Sequence, residues 1–355
     1  MRKRLDKVQG CLVGGAVGDA LGYAVEFLSY GQIVGRYGCN GIQEYTLRHG
    51  VAQISDDTQM TLFTANGLLC ADAKKRPYVD AIAQCYREWY MTQYLRKPQA
   101  GLKSAWLSWV SELYSPRAPG GTCLSAIEAG CNGTIEAPIN GSKGCGGVMR
   151  VAPVGTYLAG KASLAEIALV GAQAAALTHG HELGYIPGAL LAYIVGRVTV
   201  DDCTLRTAVA DGKDTMKKLF ENAKHLPEFL QRIDRAMALS ETETHDLAAF
   251  EILGEGWCGD EALAVAIYCA LKYEQDFAAA VTAAVNHNGD SDSTGAITGN
   301  ILGAYLGLSA IPKAYLENLE LLDVILEIGE DLALGRPEGE QGLRFDSKYT
   351  RGKRP

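Results

Sequence analysis

The sequence predicts an all-α protein folded as one large multi-helix orthogonal bundle. Most segments are rich in Ala, Leu and Glu and place apolar residues every three to four positions, which favours helices. Alternating Val, Thr and Tyr runs, typical of strands, are scarce. Hydrophobic residues form 48% of the 355 and are spread evenly. We therefore expect one domain over 1–334 and a charged, loosely packed tail over 335–355.

The helical period indicates long helices separated by loops rich in glycine and proline. Helices are expected over 59–71, 79–95, 164–177, 188–197, 204–222, 261–273, 277–286 and 295–308. Loops are expected over 31–41, 116–121, 130–147 and 254–259.

Two rows of glycines recur every four residues: Gly10, Gly14, Gly18 and Gly22, and then Gly295, Gly299, Gly303 and Gly307. Each row leaves one face of a helix without side chains. Since a helical glycine costs about 1 kcal/mol relative to alanine, another backbone should approach each row closely. The rows could pack against each other in antiparallel fashion, which would bring Glu26 beside Asp290 and Asp292. Alternatively, each row packs against some other helix.

Composition excludes several classes of protein. The net charge is −8 and the basic residues form no stripe, so nucleic acid is not an expected partner. The sequence contains no uninterrupted apolar run of about 18 residues, so it predicts no membrane span. The ten cysteines contain no C-x-x-C pair and often lie in apolar segments, which indicates reduced thiols. We expect a cytoplasmic monomer.

The segment Ser55-Asp56-Asp57-Thr58 precedes a predicted helix. One Ser or Asp suffices to cap a helix, because its oxygen accepts an amide hydrogen bond. Two adjacent carboxylates exceed that need and repel each other unless a cation neutralises them. Both a cap and a cation site remain open from this segment alone.

A second acidic segment, Asp290-Ser291-Asp292-Ser293, leads into the second glycine row. It is not an EF-hand loop, because apolar helix follows Gly295 where a spacer and a Glu are required. A second cap is again the simpler interpretation. Nevertheless, both segments carry more acidic residues than a helix cap requires, and both offer only oxygen ligands. Together they suggest a shared site for Mg²⁺ or Mn²⁺.

Glu26 stands between Val25 and Phe27 at the end of the first predicted helix. A carboxyl group in partly apolar surroundings has a raised pKa and can exchange protons near neutrality. A solvated surface glutamate is the alternative. Asp19, in the same segment, is expected to be structural.

Three further features could contact a ligand. The segment from Gly141 to Arg150 has enough glycine to bring backbone N–H groups against a diphosphate, although it matches no nucleotide-binding fingerprint. His179 lacks partners at zinc spacing, so we expect it to hydrogen-bond a substrate or the fold. Trp257, in a glycine-rich loop, could stack on a base or pack in the core.

In this order, the motifs resemble those of the ADP-ribosylglycohydrolase family. The resemblance runs from about Val8 to Leu308 and rests on four segments: Gly18-Asp19-Ala20 with Glu26, Ser55-Asp56-Asp57-Thr58, the loop from Gly144 to Arg150, and the segment from Gly289 to Gly295. One departure is Cys145, where many relatives carry Asn.

The resemblance implies an all-α fold and two Mg²⁺ ions, with Mn²⁺ as the alternative. It implies that the metals are held by Ser55, Asp56, Asp57, Asp290, Asp292 and Ser293. It implies substrate contacts from Gly141, Ser142, Gly144, Cys145, Gly146, His179, Trp257 and Asn288, with Trp257 against adenine. Glu26, Asp56, Asp57 and Asp292 are the expected catalytic residues.

The implied activity is metal-dependent cleavage of the N-glycosidic bond between ADP-ribose and a modified protein side chain. Arginine is the expected acceptor, because the motifs are most similar to those of arginine-directed members. By analogy, the biological role would be reversal of a cellular modification or immunity to an ADP-ribosylating toxin. The alternatives are hydrolysis of serine-linked or other O-linked ADP-ribose, metal-dependent phosphohydrolysis of a nucleotide, and a non-catalytic, crystallin-like protein.

Overall fold

The computed structural model describes residues 1–97 and 106–351, and within these ranges the protein is all-α. The only β-type pairings there are isolated bridges. The first eight α-helices are α1 (Arg2–Gly22), α2 (Tyr30–Tyr37), α3 (Asp56–Lys74), α4 (Tyr78–Tyr94), α5 (Gly121–Glu128), α6 (Ala152–Leu158), α7 (Leu164–Ala176) and α8 (Glu182–Val200). The remaining nine are α9 (Leu205–Leu219), α10 (Leu226–Leu239), α11 (Asp246–Leu253), α12 (Gly259–Lys272), α13 (Phe277–Val285), α14 (Ser291–Leu306), α15 (Lys313–Leu316), α16 (Leu322–Leu334) and α17 (Gly339–Arg351).

These helices confirm the predicted fold class, and each segment predicted to be helical lies on one of them. The expected loop over 31–41 is partly wrong, because α2 occupies most of it. Ser29 accepts from the amide of Gln32, and the Gln32 side chain accepts from the amide of Ser29, so a capping box begins the helix. Buried Ile33 then holds α2 against the protein, which offsets the cost of its two glycines.

The two glycine rows pack against each other. A Cβ atom added to Gly14 would lie 2.3 Å from the carbonyl oxygen of Gly299, and one added to Gly18 would lie 2.0 Å from that of Gly295. Because residue numbers fall along one helix as they rise along the other, α1 and α14 are antiparallel. The interpretation that joins the two rows is confirmed, and it places the end of α1 at the beginning of α14.

Helix α8 lies in the centre of the protein. It is long and apolar enough to cross a membrane, and 89% of its apolar window is buried by the rest of the chain. A core helix of this kind has the same composition as a membrane span.

The tail forms a packed helix through residue 351, so the prediction of a loosely packed tail is wrong for α17. Phe345 is 6% exposed and Tyr349 is fully buried. The Lys348 ammonium donates to Glu327 and to Asp331, at 2.6 Å each. The sequence misled us because charged residues dominate the segment, while the buried contacts depend on only a few side chains four residues apart. Residues 352–355 lie outside the described ranges.

Replacing Tyr349 by alanine should therefore lower the free energy of unfolding by about 3 kcal/mol, the usual cost of truncating a buried aromatic residue. Urea denaturation followed by circular dichroism measures this effect. Leu343→Ala is the matched control on α17, because Leu343 is 67% exposed; it should change stability by less than about 0.5 kcal/mol. If both variants changed the free energy of unfolding by equal, small amounts, α17 would not pack against the rest of the protein.

Candidate metal and substrate site

A cleft of about 590 Å³, including its open mouth, lies where α1 ends and where α3, α5 and α14 begin. One wall is acidic, and the opposite wall consists of glycine-rich backbone with one imidazole. The described lining residues are Glu26, Asp56, Asp57, Ala118, Gly120, Gly121, Thr122, Cys123, Gly144, Cys145, Gly146, Met149, His179, Trp257, Asp290, Asp292 and Ser293.

Asp19 attaches the first acidic segment to α1. Its carboxylate accepts hydrogen bonds from the amide of Ser55 at 2.9 and 3.0 Å and from the amide of Thr58 at 3.1 Å. It also accepts from the Thr58 hydroxyl. The structural role expected of Asp19 agrees with these contacts, which hold the N-terminus of α3 beside the end of α1.

Ser55 caps α3, because its hydroxyl oxygen accepts from the amide of Asp57 at 3.2 Å. The two following carboxylates are therefore not needed as caps. Asp56 accepts from the amide of Gly120 at 3.3 Å. The Oδ2 atom of Asp57 is buried and has no hydrogen-bond partner among the described residues.

Asp290 is the cap of α14, with its side chain accepting from the amide of Ser293 at 3.4 Å. Asp292 accepts from the same amide at 2.9 Å. Oxygen atoms of Glu26, Asp290 and Asp292 all lie within 4.8 Å of one another. The packed glycine faces of α1 and α14 produce this proximity, since Gly22 lies directly against Ser291.

Burial and mutual repulsion disfavour the charged forms of these acids. Burial, followed by the charge of Asp292, raises the pKa of Glu26 to about 10. The same two causes, in that order, raise the pKa values of Asp56, Asp57 and Asp290 well above the usual range. No Lys or Arg is among the described lining residues, so nothing in this wall compensates the negative charge.

This donor set fits a hard divalent cation. The ligands are oxygens, the carboxylates repel one another, and the buried Oδ2 atom of Asp57 lacks a partner among the described residues. A bound cation would supply the missing partner and relieve the repulsion. The residues that would hold it are Asp56, Asp57, Asp290, Asp292 and Ser293, and Glu26 lies beside them.

The opposite wall presents backbone amides. Gly144 and Gly146 bring the short helical turn Cys145–Gly147 to the cleft. Helix α5 begins beside it at Gly121, and no side chain caps its first amides. Unpaired amides at a helix N-terminus favour an anion.

His179 and Cys145 belong to the glycine-rich wall. His179 is 2% exposed, and its ring lies beside Gly146. The thiol of Cys145 donates to Asp290 at 2.7 Å. Burial and the negative charge of Asp290 raise the pKa of this thiol, so it stays protonated as a donor. Cys145 thereby contacts the acidic wall as well as the glycine-rich loop.

Two exposed aromatic rings border the mouth of the cleft. Trp257 is 41% exposed, and its ring stacks on that of Phe27, with 6.3 Å between centroids and 20° between planes. Phe27 is 72% exposed and directly follows Glu26. An aromatic surface therefore adjoins the acidic wall.

Four expected site residues do not line the cleft. Ser55 is fully buried beneath it as a cap. Gly141 is exposed, and Ser142 stands behind the wall, with its hydroxyl 3.2 Å from that of Thr122. Asn288 is exposed and accepts from the amide of Tyr30 at 2.8 Å, so it supports α2.

The sequence analysis missed the segment from Ala118 to Thr122, and also Phe27 and Met149. The glycine pair Gly120-Gly121 at the beginning of a helix was a usable signal, since an uncapped, glycine-rich helix N-terminus is typical of anion sites. Nothing local distinguishes Phe27 or Met149 from ordinary apolar residues.

Comparisons with known proteins agree with this geometry. The family model described as ADP-ribosylglycohydrolase matches residues 1–341. The chain is 28% identical to the ADP-ribosyl-[dinitrogen reductase] glycohydrolase of Rhodospirillum rubrum, over 89% of this chain and 91% of that protein. It is 26% identical to the ADP-ribosylhydrolase ARH3 of Danio rerio, over 90% and 88%.

A solved structure titled ADP-ribosylglycohydrolase-related protein complex has the same fold. Its TM-score is 0.65 at 24% identity, covering 95% of this chain and 99% of that chain. Because the family model spans nearly the whole chain, this protein belongs to the ADP-ribosylglycohydrolase family of metal-dependent glycosidic-bond hydrolases.

Proposed function

We propose that this protein hydrolyses the N-glycosidic bond between ADP-ribose and a modified arginine side chain, using two Mg²⁺ ions, or Mn²⁺ in their place. The observation that carries the proposal is the convergence of Glu26, Asp56, Asp57, Asp290 and Asp292 on one wall, opposite a wall of backbone amides. Such a cleft suits a ligand with hydroxyl groups at one end and a diphosphate at the other.

The two walls orient this substrate. The amides of Gly146 and Gly147 and the uncapped beginning of α5 receive the diphosphate, because backbone amides at a helix N-terminus favour an anion. The amide of Cys145 instead donates to the carbonyl of Trp257 at 3.1 Å. The ribose that carries the scissile bond then points towards the acidic wall. The anomeric carbon comes to lie near Glu26 and Asp292.

When bound, the cations supply Lewis-acid chemistry, which orients the ribose hydroxyls and acidifies an attacking water. The carboxylates of Asp57 and Asp292 orient that water and accept its proton. Attack at the anomeric carbon breaks its bond to the guanidine nitrogen. Glu26 delivers the proton that the leaving guanidine requires, since its buried Oε2 has no other partner among the described residues. The products are ADP-ribose and unmodified arginine.

The aromatic surface supports arginine as the acceptor. Because Trp257 lines the cleft together with Glu26 and its ring stacks on Phe27, a leaving group at Glu26 lies near these two rings. A guanidinium is planar and cationic, so it gains from both the ring faces and the acids nearby. A serine hydroxyl gains from neither. The relative from Rhodospirillum rubrum, named for ADP-ribosyl-dinitrogen reductase, supports a protein as the modified substrate.

Phe27→Ala should reduce kcat/KM for arginine-linked ADP-ribose about tenfold, the size of a desolvated cation–π contact, and change kcat/KM for a serine-linked substrate by less than about twofold. Tyr94→Ala, which removes a 61% exposed aromatic residue from α4, is the control and should change neither value. Equal losses for both linkages would contradict the proposed acceptor contact. Weaker binding of free ADP-ribose by Trp257→Ala would instead place adenine on that ring.

A panel of linkages tests the function itself. Arginine-linked, serine-linked and O-acetyl ADP-ribose are incubated with the protein and Mg²⁺, and the products are identified by mass spectrometry. We expect free ADP-ribose, released fastest from arginine. Faster release from serine would overturn the acceptor, AMP would indicate phosphohydrolysis, and no product from any linkage would indicate a non-catalytic protein.

A further inference from the structure

Arg150 is a fully buried cation behind the amide wall. Its guanidinium donates to the Thr178 hydroxyl at 2.6 Å and to the carbonyl of Ala174 at 3.3 Å. It also lies 4.5 Å from the ring centroid of Tyr86. None of these partners is a carboxylate. A buried positive charge held only by neutral groups is costly, so it indicates a role for that charge.

Thr178 connects Arg150 to His179. The Thr178 hydroxyl oxygen lies 2.8 Å from Nδ1 of His179. Arginine is a donor only, so Thr178 accepts from Arg150 and must direct its own proton elsewhere. The Cys123 sulfur also approaches this hydroxyl, but a thiol is a weak acceptor. The hydroxyl proton therefore goes to Nδ1, which acts as an acceptor.

An imidazole that accepts at Nδ1 carries its proton at Nε2. Burial, together with the charge of Arg150, lowers the pKa of His179 to about 3, so the ring is neutral and has a single N–H group. The bonds from Arg150 and Thr178 thus select one tautomer.

The Nε2 edge of His179 faces the amide wall. A Cβ atom added to Gly146 would lie 3.2 Å from Nε2, and one added to Gly144 would lie 3.4 Å from it. Only glycine leaves this edge open towards the cleft. The neighbouring backbone is fixed, because Asn140 donates to the carbonyl of Thr178 at 2.8 Å and accepts from the amide of Gly180 at 3.2 Å.

We propose that Arg150 and Thr178 are positioning residues that hold His179 as its Nε2–H tautomer, so that the ring donates a hydrogen bond to a diphosphate oxygen of ADP-ribose. The inference rests on the proposed function for the identity of the ligand. It adds to that function the buried charge of Arg150, which acts on His179 through Thr178. This arrangement prevents the Nε2 atom of His179 from presenting a lone pair to an anion.

The test uses the full chain labelled with ¹⁵N-histidine, with the His179 signal assigned by its absence in His179→Gln. Long-range ¹H–¹⁵N spectra identify the protonated nitrogen, and calorimetry measures the Kd for ADP-ribose. We expect Nε2–H in the unaltered protein. Thr178→Val should shift the tautomer towards Nδ1–H and raise Kd about tenfold, the effect of losing one hydrogen bond to a charged group. Thr178→Ser should restore both.

Thr64→Val is the matched control, because the Thr64 hydroxyl is buried, lies 2.6 Å from that of Tyr86 and makes no hydrogen bond with His179 in the described part of the chain. It should leave the tautomer unchanged and alter Kd by less than about twofold, since the hydroxyl that hydrogen-bonds to the His179 ring among the described residues is that of Thr178. Nδ1–H in the unaltered protein would overturn the inference even if Thr178→Val fails to fold. An unchanged Kd in a folded Thr178→Val would also overturn it.

Both measurements are made without turnover, so they separate this inference from the proposed function. Tautomer-dependent ADP-ribose binding without hydrolysis of the arginine linkage would support the inference and contradict the function. Hydrolysis of the arginine linkage with no effect of Thr178→Val on the Kd for ADP-ribose would support the function and contradict the inference.

Discussion

Replacing Asp292 by asparagine should reduce the release of ADP-ribose by more than about 100-fold, since losing even an outer partner of a metal ligand costs 10- to 100-fold. The same variant should make the metal-free protein more stable. The charge of Asp292 contributes to the raised pKa values of Glu26, Asp56, Asp57 and Asp290, so its removal relieves repulsion in the folded state. A purely structural acid would lose stability instead.

The sign of the pH dependence follows from these raised pKa values. In the unfolded chain the carboxyl groups titrate near about 4. In the metal-free folded state, burial followed by the charge of Asp292 raises the pKa of Asp19 to about 7 and that of Glu26 to about 10, so the folded state binds more protons than the unfolded chain between about pH 4 and 10. The stability of the metal-free protein should therefore fall as the pH rises from about 4 through 7 and above. In Asp292→Asn, the stability of the metal-free protein should decrease less steeply as the pH rises.

Thermal melts of EDTA-treated protein across this pH range, together with rates in Mg²⁺, check both effects. Asp19→Asn is the contrasting variant, because Asp19 accepts hydrogen bonds from two backbone amides that position α3. It should lower the melting temperature. If Asp292→Asn were also destabilised to a similar extent without metal, repulsion in the acidic wall would be disproved.

The glycine contact between α1 and α14 predicts the second large effect. In Gly299→Ala the new methyl group would lie 1.9 Å from the carbonyl oxygen of Gly14, so the two helix backbones must separate. We expect a loss of at least about 3 kcal/mol in the free energy of unfolding, the upper range for overpacking. Activity should fall as well, because the separation moves Glu26 away from Asp292.

Gly35→Ala is the control for this substitution. Gly35 lies in α2 with nothing within 4 Å of an added Cβ atom. Since alanine favours a helix over glycine by about 1 kcal/mol, the control should be neutral or stabilising. Urea denaturation of both variants gives the comparison. A Gly299→Ala protein as stable as the Gly35→Ala protein would rule out backbone contact between the rows.

Periodic features of the sequence predicted the helices and the two glycine-lined faces, because helix geometry converts spacing directly into a face. The pairing of the two rows was one of two alternatives that the sequence left open, and the structure selects it. That pairing places Glu26 beside Asp290 and Asp292. The position of Asp56 and Asp57 could not be predicted this way. It depends on hydrogen bonds that the buried Asp19 accepts from amides 36 and 39 positions further along the chain, and nothing in the local sequence indicates such a contact.

Other parts of the site were beyond prediction for similar reasons. Asn288 lies next to the acidic segment in sequence, but its side chain points to the amide of Tyr30. The alignment of Arg150, Thr178 and His179 joins two distant segments through a single hydroxyl group. Adjacency in sequence does not determine side-chain direction, and these contacts require the packed fold.

The acidic wall should bind cations that the reaction requires. The most direct measurement is the initial rate of ADP-ribose release from an arginine-modified protein, before EDTA treatment, after it, and after Mg²⁺ is restored. Our account predicts loss of the rate in EDTA and recovery with Mg²⁺. An unchanged rate in EDTA would contradict it.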